Sequence, residues 1–122
     1  MILQVFGDKL SLARAAAARV AATLKQTLAE RGEARIIAAT GASQLEFLEE
    51  LTKAPEINWK SVELFHLDEY IGIPVTHPAS FRKYLLDRLI NKVGIVRHHL
   101  LDGEADSQQV ISQATREIQK RP

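Results

Sequence analysis

The chain has no cysteine, which excludes a disulfide framework, a thiolate metal site and a cysteine nucleophile, and makes a reducing cytoplasm the simplest compartment. It also lacks an excess of either charge. Sixteen basic residues stand against fifteen acidic ones, for a net charge of +1. The two signs are mixed along the chain rather than gathered into a basic face, so nothing argues for nucleic acid. No apolar run is long enough to span a bilayer, and the opening MILQVFGDKL has no basic region followed by a long apolar core. A soluble protein without membrane contact is expected. Low-complexity tracts and solenoid or propeller repeats are missing too. What remains is 122 residues, 46% hydrophobic and 25% charged, enough for one compact domain over residues 1–122.

Met1 to Phe6 is short and mostly apolar and is closed by Gly7-Asp8, so it reads as a strand and turn. From Ser11 to Arg31 strong helix formers run throughout, with Leu12, Ala16, Val20, Leu24 and Leu28 close to helical spacing. Ser11 is placed to cap this helix and Gly32 to end it. Arg35 to Ala39 is a second strand, left through Thr40-Gly41-Ala42-Ser43 into a helix carrying Leu45, Leu48 and Leu51. Pro55 closes that helix, and SVELFHL after Trp59 is a third strand ending at Asp68-Glu69-Tyr70. Ile71 to Pro78 is a loop, and Ser80 opens a helix through Phe81, Tyr84, Leu85 and Leu89. Val96 to Leu101 is a fourth strand. Ser107 to Lys120 is a last helix with Val110, Ile111, Ala114 and Ile118 on one side. This alternation predicts an α/β fold: a doubly wound, mostly parallel sheet with helices on both faces.

Ligands of such sheets lie outside the carboxyl ends of the strands, and two polar segments fall there. Thr40, Gly41, Ala42 and Ser43 make a small turn with two hydroxyls at a helix start, where backbone N–H groups favour an anion such as a phosphate. The bland alternative is a capped strand-to-helix turn. The segment is neither a Walker loop nor a dinucleotide fingerprint, because the Gly-Lys and Gly-x-Gly spacings are missing. Asp68 and Glu69 follow an apolar strand directly, where a carboxylate can face a cleft and act as a general base. The alternative is an acidic turn that caps the next segment. Adjacent His98 and His99 point to opposite faces of a strand, so a shared metal is disfavoured, and no metal site is expected. His66 and His77 read as solvated or hydrogen-bonded, and Trp59 as packing rather than a platform.

Phe65-His66-Leu67-Asp68-Glu69-Tyr70-Ile71-Gly72-Ile73-Pro74, followed by His77-Pro78-Ala79-Ser80-Phe81, resembles the glucosamine-6-phosphate deaminase/isomerase family. Thr40-Gly41-Ala42-Ser43 resembles that family's phosphate loop, and the likeness covers the chain in order and spacing. Related 6-phosphogluconolactonases usually carry arginine after the Asp-Glu pair, so Tyr70 and the His77-Pro78 turn favour the deaminase branch.

The resemblance implies a Rossmann-like sheet and a phosphorylated amino sugar as ligand, with no organic cofactor. It implies that Asp68 moves a proton between C1 and C2 of glucosamine 6-phosphate, that Glu69 supports it, and that Thr40 to Ser43 hold the phosphate. Ammonia loss then gives fructose 6-phosphate. The loop departs from the family's Gly/Ser-Thr-Pro at Ala42-Ser43-Gln44, which leaves the preferred sugar open. The resemblance also implies an Asp-x-His pair, a ring-opening glutamate and further phosphate-binding residues that have no counterpart among these 122 residues. The sheet is therefore expected to be incomplete relative to the family, and a homo-oligomer is expected through its exposed edge. Two other roles are compatible with the same residues: a non-catalytic sugar-phosphate-binding or sensing module, and an inactive remnant that supports assembly.

Overall fold

A computed structural model describes residues 2–121. Helix α1 (Lys9–Arg31) begins two residues before Ser11, because Asp8 and not Ser11 is its cap: the Asp8 carboxylate accepts the Ser11 N–H and hydroxyl, each at 2.8 Å. Gly32 ends it in the left-handed region at φ 75, donating its N–H to the Leu28 carbonyl. The buried stripe is Ala13, Ala17, Ala21 and Leu24. That is one residue round from the expected face, and Leu12 is 52% exposed. Small alanines let α1 lie close against α2 (Leu45–Thr52), which a stripe of leucines would hold further away.

The strands are β1 (Ala34–Ala38), β2 (Val62–His66) and β3 (Arg97–His99). They form one parallel sheet in the order β1-β2-β3, with Ala38 opposite His66 and Phe65 opposite His99. Between β2 and β3, α3 (Phe81–Leu85) runs through a π-helical turn (Leu86–Ile90) into α4 (Asn91–Val93). After β3 comes α5 (Ser107–Gln119), capped by Asp106. No described helix is long and apolar enough to cross a membrane.

Strand alternation divides the sheet. Ala34, Ala38, Val62 and Leu64 pack with Leu24, Leu48, Leu51, Trp59, Leu85, Leu89, Ile90 and Ile95 in the apolar core. The opposite face carries Arg35, Glu63, Phe65 and His99. Arg35 Nε donates to Glu63 at 2.8 Å, and His99 Nε2 lies 2.8 Å from the other Glu63 oxygen. The Arg35 guanidinium also sits 4.7 Å over the Phe65 ring and donates to the α5 carbonyls of Glu117 and Ile118 at 2.7 and 2.9 Å and to that of Arg121. Burial pushes the Glu63 carboxyl up, but the hydrogen bonds from His99 and Arg35 outweigh it and leave its pKa lowered. The helix after β3 is thus fixed to the second face by a charged side chain meeting the carbonyls of its last turn. Helices cover both faces of a Rossmann-like parallel sheet, as expected.

Two expectations fail. Residues 2–6 form no strand, and Ile2, Leu3 and Val5 are 85%, 79% and 85% exposed. Met1 lies outside the described residues. An apolar run becomes a strand only where another strand completes its ladder, and none pairs with this one. The expected apolar side of α5 is half realised. Val110 and Ala114 turn inward, whereas Ile111 is 57% and Ile118 39% exposed.

Candidate functional site

Two loops leave the carboxyl ends of neighbouring strands. Leu67 donates its N–H to the Ala38 carbonyl at 3.2 Å, so the pairing of β1 and β2 runs on to where both loops begin. Thr40 lies two residues beyond the end of β1, at the start of the first loop. Gly41 adopts φ 101 and ψ 175, a region that only glycine enters without strain, and Ala42–Gln44 then turn as a short 3-10 helix into α2. The Tyr84 hydroxyl donates to the Gly41 carbonyl at 3.0 Å and is the contact that ties this loop to α3.

The second loop is built differently. Glu69 turns its side chain inward, only 2% exposed, and collects a set of donors. Its oxygens accept the backbone N–H groups of Arg82 at 2.8 Å, Phe81 at 2.9 Å and Tyr70 at 3.0 Å, and the Ser80 hydroxyl at 2.9 Å. Arg82 Nε lies 3.3 Å from it as well. Burial raises the Glu69 carboxyl, but these donors win and hold its pKa at about 2. A carboxylate so fully engaged is a poor proton acceptor. Glu69 caps the start of α3 together with Ser80, which accepts the Lys83 N–H.

Arg82 extends this knot. Buried itself, it donates to Asp102 at 2.6 Å and to the Ile73 carbonyl at 2.9 Å. It therefore joins the Asp68–Pro78 loop to the segment after β3. Gly72 donates its N–H to the Gly103 carbonyl at 2.6 Å, and any Cβ at Gly103 would collide with the Tyr70 carbonyl. Asp68 stands at the edge of this scaffold, exposed, and among the described residues no side-chain hydrogen bond or ion pair engages it. A fixed backbone with a free carboxylate is an arrangement suited to taking a proton from a bound ligand.

Neither Arg82 nor His66 stands out in the sequence as a site residue. Arg82 reads as an exposed helix charge, and its role depends on three segments meeting. His66 is buried at the end of β2, with burial holding its pKa down although Glu69 and Asp68 pull it up and Arg82 lowers it. Its placement after the apolar run VELF was the available hint. His98 and His99 point to opposite faces as expected: His98 is exposed, and His99 stacks on Phe65 with centroids 4.5 Å apart. An apolar groove of about 650 Å³ runs from Lys9, Leu12 and Ala16 of α1 to Ser43 and Phe47. It flanks the first loop and does not reach Asp68.

The profile of the family described as glucosamine-6-phosphate isomerases/6-phosphogluconolactonase matches residues 7–121. The chain belongs to that family. It is 37% identical over 103 residues to a 6-phosphogluconolactonase of Pseudomonas aeruginosa, covering 84% of this chain and 38% of the relative. It is 40% identical over 60 residues to a glucosamine-6-phosphate deaminase of Vibrio parahaemolyticus, covering 48% of this chain and 23% of that enzyme. Among solved structures, a monomeric glucosamine-6-phosphate deaminase superposes with a TM-score of 0.85 at 22% identity, over 97% of this chain and 50% of that one. A 6-phosphogluconolactonase from Shewanella baltica gives 0.82 at 20% identity, over 96% and 50%. At these identities the superpositions establish the shared fold. The chain therefore spans about half the length of the solved family members and less of the curated ones.

Proposed function

We propose that this chain supplies the proton-transfer half of a sugar-phosphate site and acts on glucosamine 6-phosphate as an isomerase/deaminase. Asp68 takes the proton at C2 and returns it at C1, and water then adds to the resulting C2 imine, whose nitrogen leaves as ammonia as the C2 carbonyl forms. Thr40, Gly41, Ala42 and Ser43 hold the phosphate with loop N–H groups and hydroxyls at the start of α2. Glu69 is a positioning residue: it fixes the backbone that carries Asp68 and does not itself exchange protons. The observation that carries this reading is the contrast within the Asp68-Glu69 pair, one carboxylate free at the strand end and its neighbour fully engaged. Self-association through the exposed sheet edge belongs to the same reading, and sedimentation over a wide concentration range tests it.

A second reading is lactone hydrolysis, favoured by the Pseudomonas 6-phosphogluconolactonase, to which 84% of the chain aligns. Tyr70, in place of that branch's arginine, favours the deaminase. The deciding experiment measures ammonia and fructose 6-phosphate release from glucosamine 6-phosphate, beside hydrolysis of 6-phosphogluconolactone, for the chain and for Asp68→Asn. Ammonia release that the substitution lowers about 10²–10⁴-fold supports the deaminase. Lactone hydrolysis without ammonia release replaces it with the lactonase, and turnover of neither leaves a sugar-phosphate binder.

A further inference from the structure

His66 ends β2 directly opposite Ala38, only 6% exposed. Its Nδ1 accepts the Leu101 N–H at 3.3 Å, which places the proton of the neutral ring on Nε2. Among the described residues Nε2 has no partner, and neither does the buried Thr40 Oγ1. Thr40 follows β1 two residues beyond Ala38, the register partner of His66, at the end where such sheets take their ligands. Buried polar groups are nearly always paired, and unpaired ones at the ends of two adjacent strands, one of them two residues before a candidate base, point to partners that are not protein.

We propose that the His66 Nε2–H donates a hydrogen bond to the carbonyl oxygen of a bound sugar phosphate and polarises it while Asp68 takes the neighbouring proton. The inference rests on the sugar-phosphate reading above and names the electrophile of that site. The step balances without a further reactant. The C–H pair becomes the new C=C bond, the proton passes to the Asp68 carboxylate, and the carbonyl π pair moves onto oxygen. The resulting enolate oxygen on C1 lies against Nε2–H; Asp68 returns its proton to C1, and a proton of the C2 amino group passes to the C1 oxygen, leaving the C2 imine. A neutral imidazole suits this task, because an imidazolium would carry a proton on Nδ1 and lose the Leu101 bond that orients the ring. The charged groups around the ring are Asp68, Glu69 and Arg82, and burial prevails over the two carboxylates in keeping it neutral.

The test uses the whole chain with 15N-labelled histidine, titrated with 5-phosphoarabinonohydroxamate, a planar copy of a phosphorylated enediolate, and separately with inorganic phosphate. The hydroxamate is expected to move the His66 Nε2 resonance while phosphate alone leaves it in place. His66→Phe, which keeps the buried ring, is expected to weaken the hydroxamate roughly 10- to 100-fold, the range for a hydrogen bond to a charged group. His66→Gln, which keeps a donor, is expected to recover most of that loss, and phosphate affinity is expected to be unchanged in both. Hydroxamate binding that leaves Nε2 unmoved, with His66→Phe binding as tightly as the parent, overturns the role of His66 and leaves the sugar-phosphate reading intact. Failure of both probes to bind the parent chain overturns both.

Discussion

The two loops at the top of the sheet are held in opposite ways. The loop after β2 is knotted: Glu69 gathers three donors from the start of α3 and one from Tyr70, and Arg82 bolts it to Asp102 and Ile73. The loop after β1 hangs on the glycine conformation at Gly41 and a Tyr84 hydrogen bond. The difference matches what each would do. A base must meet a C–H bond at fixed distance and angle, so its backbone is immobilised. A phosphate is met by several N–H groups with tolerant geometry, so a loosely tethered turn suffices.

The largest effect that separates the loops is expected from Glu69→Ala. It strands buried N–H donors and the Arg82 guanidinium, and should cost on the order of 3 kcal/mol in urea unfolding. Acid should act on the same group. Glu69 titrates near 4.5 in the unfolded chain and at about 2 when folded, so its contribution is complete above pH 4.5 and is lost as pH falls toward 2. A urea midpoint followed from pH 5 to pH 2 should drop more steeply for the parent than for Glu69→Gln; parallel curves would remove Glu69 from the account.

Gly41→Ala comes next, at about 1–3 kcal/mol, because its φ of 101 is strained for any other residue. A loss much below that range would mean that the first loop relaxes freely. Tyr84→Phe deletes a single hydrogen bond and should cost about 0.5–1.5 kcal/mol, with faster amide exchange confined to residues 40–44. Exchange spreading into the Asp68 loop would show the two loops to be coupled. Smallest of all, Asp68→Asn should leave thermal stability within about 0.5 kcal/mol of the parent, as an exposed side chain without partners should. A larger change would mean that Asp68 holds the fold rather than serving a ligand.

Local patterns were legible wherever local physics decides. The helical span of α1 with Gly32 at its end, the apolar runs of β1 and β2, the Ser80 cap and the opposed His98 and His99 all follow from propensity, periodicity and capping within a few residues. The motif around Asp68 was legible as well, since family likeness is written in consecutive residues. The rotated face of α1 was not, because alanine and leucine both suit a helix and only the neighbouring α2 selects the smaller side chains. Residues 2–6 looked like a strand and pair with nothing, since a strand exists only through its partner.

The amino-acid sequence by itself determined an alternating α/β order, the two loops at strand ends, and the pairing of a Thr-Gly-Ala-Ser turn with an Asp-Glu turn. Tertiary structure alone decided which carboxylate is free. Asp68 and Glu69 are chemically near-identical neighbours, and they diverge because the start of α3 arrives over one of them with a cluster of N–H donors and leaves the other in the open. The same holds for Arg82 and His66. Their environments are made of segments 9 to 35 residues away in the chain, brought together only when the sheet and its crossovers close.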